Sequence, residues 1–511
     1  MKLKLTAIYY PFLFGLFPVL FLYTNNINEV PFIDILPPAV VIIVGIALVF
    51  FILKLLTKDY GKSGLITSLL VILFFAYGHV SSYATAAFGL VKGTLILGIL
   101  WITIFAIGIV FTVRSKSDLK LLHSVLNVIG VSLLCISLIN IGIRALQDIG
   151  PENDTLRDVE TESFATFGST AQATGANYPD IYYIIIDSYA GKSTLEDIFK
   201  YDNSKFLSSL ETMGFYVAED ANSNYSQTNI SLSSSLNMDY IDNLVPEKIM
   251  ENNDYTVLID LIADNQLLQF LKDKGYYCTF ISDGFFGKGV KGYDKVCLPG
   301  NGAFGLGMTN FAVALIQTTA LEPFRMIIGA DARNDMLYVF NTLKETPNVP
   351  SPKFTFIHSI GMHTPFVFDS TGDSVIGTAL YAADEMNYYQ KGYIEQLVYL
   401  NQLIEDTIEI ILEISESPPV IILQSDHGSS ATIKVGDTIE DLTQDQFNER
   451  MGILNAYFFP DKDYSSVYES VSPVNSFRLV LNRFFGTDLQ ILEDKSYYSL
   501  LERPFEFTSF D

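Results

Sequence analysis

Five almost charge-free apolar stretches, each about 20 residues long, crowd the start of this 511-residue chain, at roughly 5–24, 36–56, 63–83, 94–113 and 121–143. A helix rises about 1.5 Å per residue and a bilayer's hydrocarbon core is about 30 Å thick, so each stretch is long enough to span it. Four further spans argue against the first being a cleaved signal. Lys2 and Lys4 precede the first stretch, Lys54, Lys58 and Lys62 crowd the second link, and Arg114, Lys116 and Lys120 crowd the fourth. Positive loops stay cytoplasmic, so everything beyond about residue 145 is expected outside.

Charge divides the same way. The first 150 residues hold ten Lys/Arg against five Asp/Glu, and the remainder holds 22 against 52. So acidic a second half argues against nucleic acid as a partner. Residues 148–179, rich in Asp, Glu, Thr, Ser, Ala and Gly, read as a connector, leaving 1–147 as a transmembrane domain and 180–511 as an extracytoplasmic one. His79 and His123 in the spans read as hydrogen-bonded interhelical groups or as functional ones. Cys135 reads as a buried apolar residue, while Cys278 and Cys297 could form a disulfide or remain free thiols.

From residue 180, short apolar runs at Ile181–Ile186, Tyr276–Ile281, Phe354–Ile360, Val420–Leu423 and Ile453–Phe459 alternate with helical patterns at 200–213, 257–274 and 388–415. That alternation predicts an α/β domain with a largely parallel sheet, whose ligands gather at the carboxyl ends of the strands. Three runs stop at suspicious residues: Asp187 after the first, Asp426-His427-Gly428 after the fourth, and His358 through His363 about the end of the third. A carboxylate is costly to bury unless paired or bound to metal. A lone Asp is often only a helix cap and a lone His a satisfied core residue, but together these favour an oxygen- and nitrogen-ligated divalent ion. The hydroxyl-rich run Asn224–Leu236 could supply a nucleophile, although spacing does not say which hydroxyl.

With these residues in place, the chain resembles the alkaline phosphatase and sulfatase superfamily, and within it the five-span lipoteichoic acid synthases and lipid A phosphoethanolamine transferases. The resemblance implies a five-helix transmembrane domain followed by a sulfatase-like α/β domain. It implies Asp187, Thr228, Asp426 and His427 as metal ligands, with Thr228 also the nucleophile, since Thr228-Asn229-Ile230-Ser231-Leu232-Ser233 fits the transferases' T-A-x-S-x-P frame with Ser233 in place of the Pro. The run His358–Pro365 is similar to the family's H-x-x-G-x-H-x-P, whose second His faces the substrate or a second metal, which points to a catalytic His363, with His358 a candidate substrate contact. Lys288, in a loop like one that meets the substrate phosphate, and Arg450 are implied or candidate anion contacts.

No C/S-x-P-x-R motif surrounds Thr228, which disfavours sulfate-ester hydrolysis, and no His follows His427 where the transferases carry one. Paired cysteines about the nucleophile are also missing. The expected cofactor is a divalent ion, zinc or manganese foremost, with magnesium or calcium compatible. The expected activity moves a phosphoglycerol- or phosphoethanolamine-type head group from a membrane phospholipid, through a phosphothreonine, onto a glycan or glycolipid. A phosphodiesterase using the same metal site is the alternative, and a non-catalytic envelope protein the more distant one.

Overall fold

The computed structural model describes residues 8–27, 32–88, 90–116, 119–147, 178–251, 256–284, 290, 292–299, 310–322, 330–364, 366–375, 385–433, 437–501 and 503–509. The chain divides into two compact units, residues 1–168 with 301–328, and residues 169–300 with 329–511.

The first unit is helical: α1 (Tyr10–Asn25), α2 (Leu36–Thr57), α3 (Tyr60–Phe88), α4 (Leu90–Arg114) and α5 (Lys120–Gln147). Large apolar side chains stay exposed all along α2 and α4, among them Val44, Leu48, Phe51, Ile102 and Phe111. A helix apolar on every side is one whose solvent is lipid. Among the described residues four helices, not the expected five, are long and apolar enough to cross a membrane: Phe32–Thr57, Tyr60–Ser81, Lys92–Arg114 and Lys120–Ile143. The difference is α1, whose 16 residues rise only about 24 Å. It is instead well packed within its own unit, burying Tyr10, Phe14, Val19 and Tyr23. His123 there accepts or donates a bond with the Tyr10 hydroxyl (3.0 Å), in keeping with an interhelical role.

The helix Asn310–Gln317 also belongs to this unit, although the linear reading assigns it to the second domain. Its Phe311 and Leu315 join the cluster around Tyr10, Phe14 and Phe75. The turn that follows bonds to the backbone of α3, Gly78 N to Thr318 O (3.1 Å) and Ala320 N to Phe74 O (2.8 Å). Glycine is needed at 78, because a Cβ there would lie 1.9 Å from the Gln317 carbonyl oxygen.

The second unit is built on a seven-stranded sheet of order β2-β7-β6-β1-β5-β3-β4. The strands are β1 (Ile181–Ile186), β2 (Tyr216–Val217), β3 (Tyr277–Ser282), β4 (Lys295–Cys297), β5 (Lys353–Ser359), β6 (Val420–Gln424) and β7 (Asn455–Phe458). β6, β1, β5, β3 and β4 run parallel, while β7 at one side is antiparallel to both its neighbours, β6 and β2. All six side chains of β1 are buried, as a central strand covered on both faces requires. The helices Ala330–Glu345 and Glu385–Ile414 pack on the sheet through Val339, Phe340, Leu397, Leu400 and Ile404. A separate hairpin, β8 (Tyr498–Leu500) with β9 (Arg503–Thr508), ends the described chain.

The helix expected over 257–274 is two helices, Thr256–Ala263 and Gln266–Asp273. Asn265 breaks it, because its side chain caps the second helix by accepting from Leu268 N (2.7 Å). Cys278 and Cys297 are both buried free thiols, so no disulfide joins them, and burial pushes the Cys278 thiol up to about 12.

At the amino end of β5 a buried ion pair, Lys353 Nζ to Asp180 Oδ2 at 2.8 Å, ties two strands together. Lys353→Met would strand the Asp180 carboxylate in the interior and is expected to cost about 3–5 kcal/mol. Thermal unfolding of the full chain reads the loss, and adding Asp180→Asn should recover part of it.

Candidate metal centre

Four adjacent parallel strands deliver polar groups to one end of the sheet. β1 ends in Asp187, β6 leads into Asp426-His427-Gly428, β5 carries His358 and β3 leads into Asp283. Register sets the neighbours, since Ile185 lies beside both His358 and Gln424. Ligand atoms of Asp187, His358 and Asp426 fall within 4.8 Å of one another, and all three side chains are buried. His427 Nε2 completes the group, 3.6 Å from Asp187 Oδ1 and 3.4 Å from Asp426 Oδ2.

The hydroxyl-rich run resolves one side chain at a time. The helix Thr228–Asn237 begins at Thr228, whose Oγ1 lies 3.2 Å from His427 Nε2. The other hydroxyls are otherwise engaged: Ser226 donates to Ser499 O, Ser231 to Asp426 O, Ser233 to Asn229 O, Ser234 to Asp239 O and Ser235 to Leu232 O. The β8–β9 hairpin fixes the approach to the helix, because Ser226 N donates to Tyr497 O (3.2 Å) and Gln227 Nε2 donates to Leu500 O (3.0 Å). No side chain caps the helix, so its first N–H groups remain open to an anion beside Thr228.

Charge tests whether an ion fits here. Burial, and then the negative charge of Asp426, hold the Asp187 carboxyl well above the usual carboxylate range. Asp426 Oδ2 is itself buried and accepts no hydrogen bond. The Asp187 carboxyl is therefore costly to charge beside Asp426 unless a cation sits between them. The imidazoles are in the form that binds metal. Burial lowers His358, and burial followed by the Arg450 guanidinium pushes His427 down to about 3, so both are neutral at pH 7. His427 Nδ1 lies 3.0 Å from Gly428 O, which assigns its proton to Nδ1 and leaves the Nε2 lone pair to face the cluster. Two carboxylates and two neutral imidazoles fit zinc or manganese.

His358 was expected against substrate, but its side chain is wholly buried on a central strand and stands among the carboxylates instead. His363 is exposed on the turn after β5, with Nδ1 3.0 Å from Thr364 O. Arg450 is half-buried, not a solvated charge. Its Nε donates to Ser226 O (2.8 Å), Nη1 to Gly428 O (3.0 Å), and Nη2 lies 3.2 Å from His427 Nε2. Lys288 lies outside the described residues.

Sequence reasoning passed over Asp283, which accepts from Ile360 N (2.5 Å) and whose charge acts on Asp187 and His358. The signal was present, for Asp283 follows an apolar strand just as Asp187 does. It also passed over Glu449, whose buried carboxylate gathers Ser429 Oγ (2.6 Å) and Thr432 N (3.1 Å) from the loop after Gly428.

No protein-family model matches the sequence, and no curated protein matches it. Among solved structures, the chain is similar to the C-terminal periplasmic domain of EptC from Escherichia coli in complex with zinc, at 15% identity over 65% of this chain and 93% of that one, with a TM-score of 0.44. It is similar to the integral membrane protein lipooligosaccharide phosphoethanolamine transferase A from Neisseria meningitidis at 15% identity, over 93% of this chain and 95% of that one, with a TM-score of 0.40. A Vibrio parahaemolyticus protein of the alkaline phosphatase superfamily matches 60% of this chain and 66% of its own, at 11% identity and a TM-score of 0.36.

Proposed function

We propose that this chain is a membrane-anchored, metal-dependent phosphotransferase that moves a phospholipid head group, of phosphoethanolamine or phosphoglycerol type, onto a cell-envelope glycan or glycolipid. The observation that carries the reading is the Thr228 hydroxyl, 3.2 Å from an imidazole nitrogen that itself borders two buried carboxylates. The sequence resemblance to the transferases points the same way.

Asp187, Asp426, His358 and His427 would hold the divalent ion, with Thr228 as a further ligand. The ion supplies Lewis acidity there, lowering the pKa of a bound hydroxyl and neutralising phosphoryl oxygen charge. Thr228 Oγ1 would give its proton to solvent and form the bond to phosphorus as the phosphorus–oxygen bond to the lipid breaks. Arg450 and the open N–H groups at the start of the Thr228–Asn237 helix receive the phosphoryl oxygens. His363, exposed on its turn, would relay a solvent proton to the leaving lipid oxygen, and in the second half-reaction would pass the proton of the incoming hydroxyl to Thr228 Oγ1 as its bond to phosphorus breaks.

Orientation does not need a fifth span. α5 begins beside Arg114, Lys116 and Lys120, which the positive-inside rule keeps cytoplasmic, so the catalytic unit that follows lies outside the membrane.

The test is product analysis of the full-length protein with phospholipid vesicles and an envelope glycolipid. Diacylglycerol release with the head group recovered on the glycolipid is expected. Head group recovered only as a free water-soluble product would replace the transferase with a phosphodiesterase. Arg450→Lys keeps a positive charge but loses the planar fork, and should lower kcat/KM about 10²-fold in this assay.

A further inference from the structure

We infer that Tyr393 is a positioning residue for the metal centre: its hydroxyl latches the left-handed turn at Ser188 that aims the Asp187 carboxylate. This rests on the metal-centred reading above. The helix Glu385–Ile414 packs an apolar stripe on the sheet through Leu397, Leu400, Ile404, Ile408 and Ile411, and Tyr393 falls on the same buried face. Its ring is fixed by packing, stacked on Phe199 at 4.2 Å and edge-on to Phe366 at 5.9 Å. Its hydroxyl donates to Ser188 O (2.8 Å) and accepts from Ala190 N (2.9 Å), clamping two backbone groups on either side of Tyr189. Burial pushes that hydroxyl well above its ordinary range, so it remains a donor.

What the clamp holds is unusual. Ser188 has φ +61°, a conformation that a residue with a side chain rarely adopts. In that conformation Ser188 N donates to Asp426 Oδ1 (3.3 Å), and Oγ donates to Asp187 Oδ1 (3.0 Å) while lying 3.4 Å from His427 Nδ1. One residue therefore touches three members of the cluster. The backbone of Asp187 is separately secured to the β5 side, its N donating to Ser359 O and its O accepting from Met362 N, both at 2.9 Å. Removing the Tyr393 hydroxyl thus loosens the Ser188 turn alone. One turn along the same helix, Gln396 treats the neighbouring loop likewise, donating to Gly361 O (2.5 Å) and accepting from Val367 N (2.7 Å).

The simpler alternative is that Tyr393 only satisfies its own buried hydroxyl. Zinc titration of full-length protein against a chromophoric chelator separates the two. Tyr393→Phe keeps the ring and should weaken zinc binding about tenfold or more, the usual effect of losing support for a metal ligand, while the metal-free thermal midpoint falls by only the few degrees that losing the bonds to Ser188 O and Ala190 N brings. kcat should fall more than KM. Thr407→Val, on the same helix, loses a buried hydroxyl's bond to Leu403 O (2.6 Å) without touching the turn, and should leave zinc affinity unchanged. Should Tyr393→Phe not fold, Ser188→Gly accommodates the same φ and removes the bond to Asp187, with a similar loss expected. Parent-like zinc affinity in Tyr393→Phe, or an equal loss in Thr407→Val, overturns the latch. Parent protein that binds no divalent ion at all overturns the metal reading and the latch together.

Discussion

Thr228→Ala is expected to abolish head-group transfer, lowering kcat by at least about 10³-fold, or roughly 4 kcal/mol of transition-state stabilisation. The size follows from the role. Removing a group that forms the covalent bond removes the pathway, whereas removing a supporting contact only slows it. Structure should be spared, because Thr228 opens its helix and Ser231, Ser233, Ser234 and Ser235 supply that helix's buried side-chain bonds. Thermal unfolding should therefore place Thr228→Ala beside the parent protein. Ser226→Ala makes the informative comparison, since that hydroxyl is spent on Ser499 O and should affect packing more than chemistry. Comparable turnover in Thr228→Ala and the parent would remove the covalent scheme.

Stripping divalent ions with a chelator is expected to have the second-largest effect, with complete loss of transfer and a lower thermal midpoint, both restored by zinc or manganese. An ion at 100 times its Kd adds about 2.7 kcal/mol to folding stability, enough for a shift of a few degrees in a domain of this size. Asp187→Asn sharpens the test because it predicts opposite signs. The variant should lose the metal-dependent gain, yet its metal-free form should be at least as stable as metal-free parent, since it no longer sets two buried carboxylates against each other. A parent protein whose midpoint ignores every divalent ion tried would contradict the site.

Much of the second unit was legible because its strands are buried on both faces and read as unbroken apolar runs. Asp187 and Asp426 stood out for the same reason: a carboxylate that stops such a run has to be accounted for. Their chemistry is written in burial cost, which sequence shows directly. Thr228 was different. Six other hydroxyls share its segment, and only the positions of Asp426, Asp239 and Ser499 show where the others are spent. The neighbours of His358 were not legible, because the sequence gives its strand but not which end-of-strand groups lie beside it in register. The break at Asn265 was hidden by apolar residues on both sides, which continue a helical spacing through a residue that caps rather than extends. Tyr393 and Gln396 left a fainter trace, two polar groups on an otherwise apolar stripe. The docking of Asn310–Gln317 onto the helical unit left none, since its partners lie more than 200 residues away.

The most direct test is the intact mass of the full-length protein after incubation with mixed membrane phospholipids and metal, comparing the parent with Thr228→Ala. The phosphothreonine scheme predicts a parent mass increased by one phospho-head group and an unmodified variant, the increment itself naming the head group. An adduct of equal yield on both proteins, or a parent that turns over phospholipid without ever carrying one even when the reaction is quenched early, would contradict it.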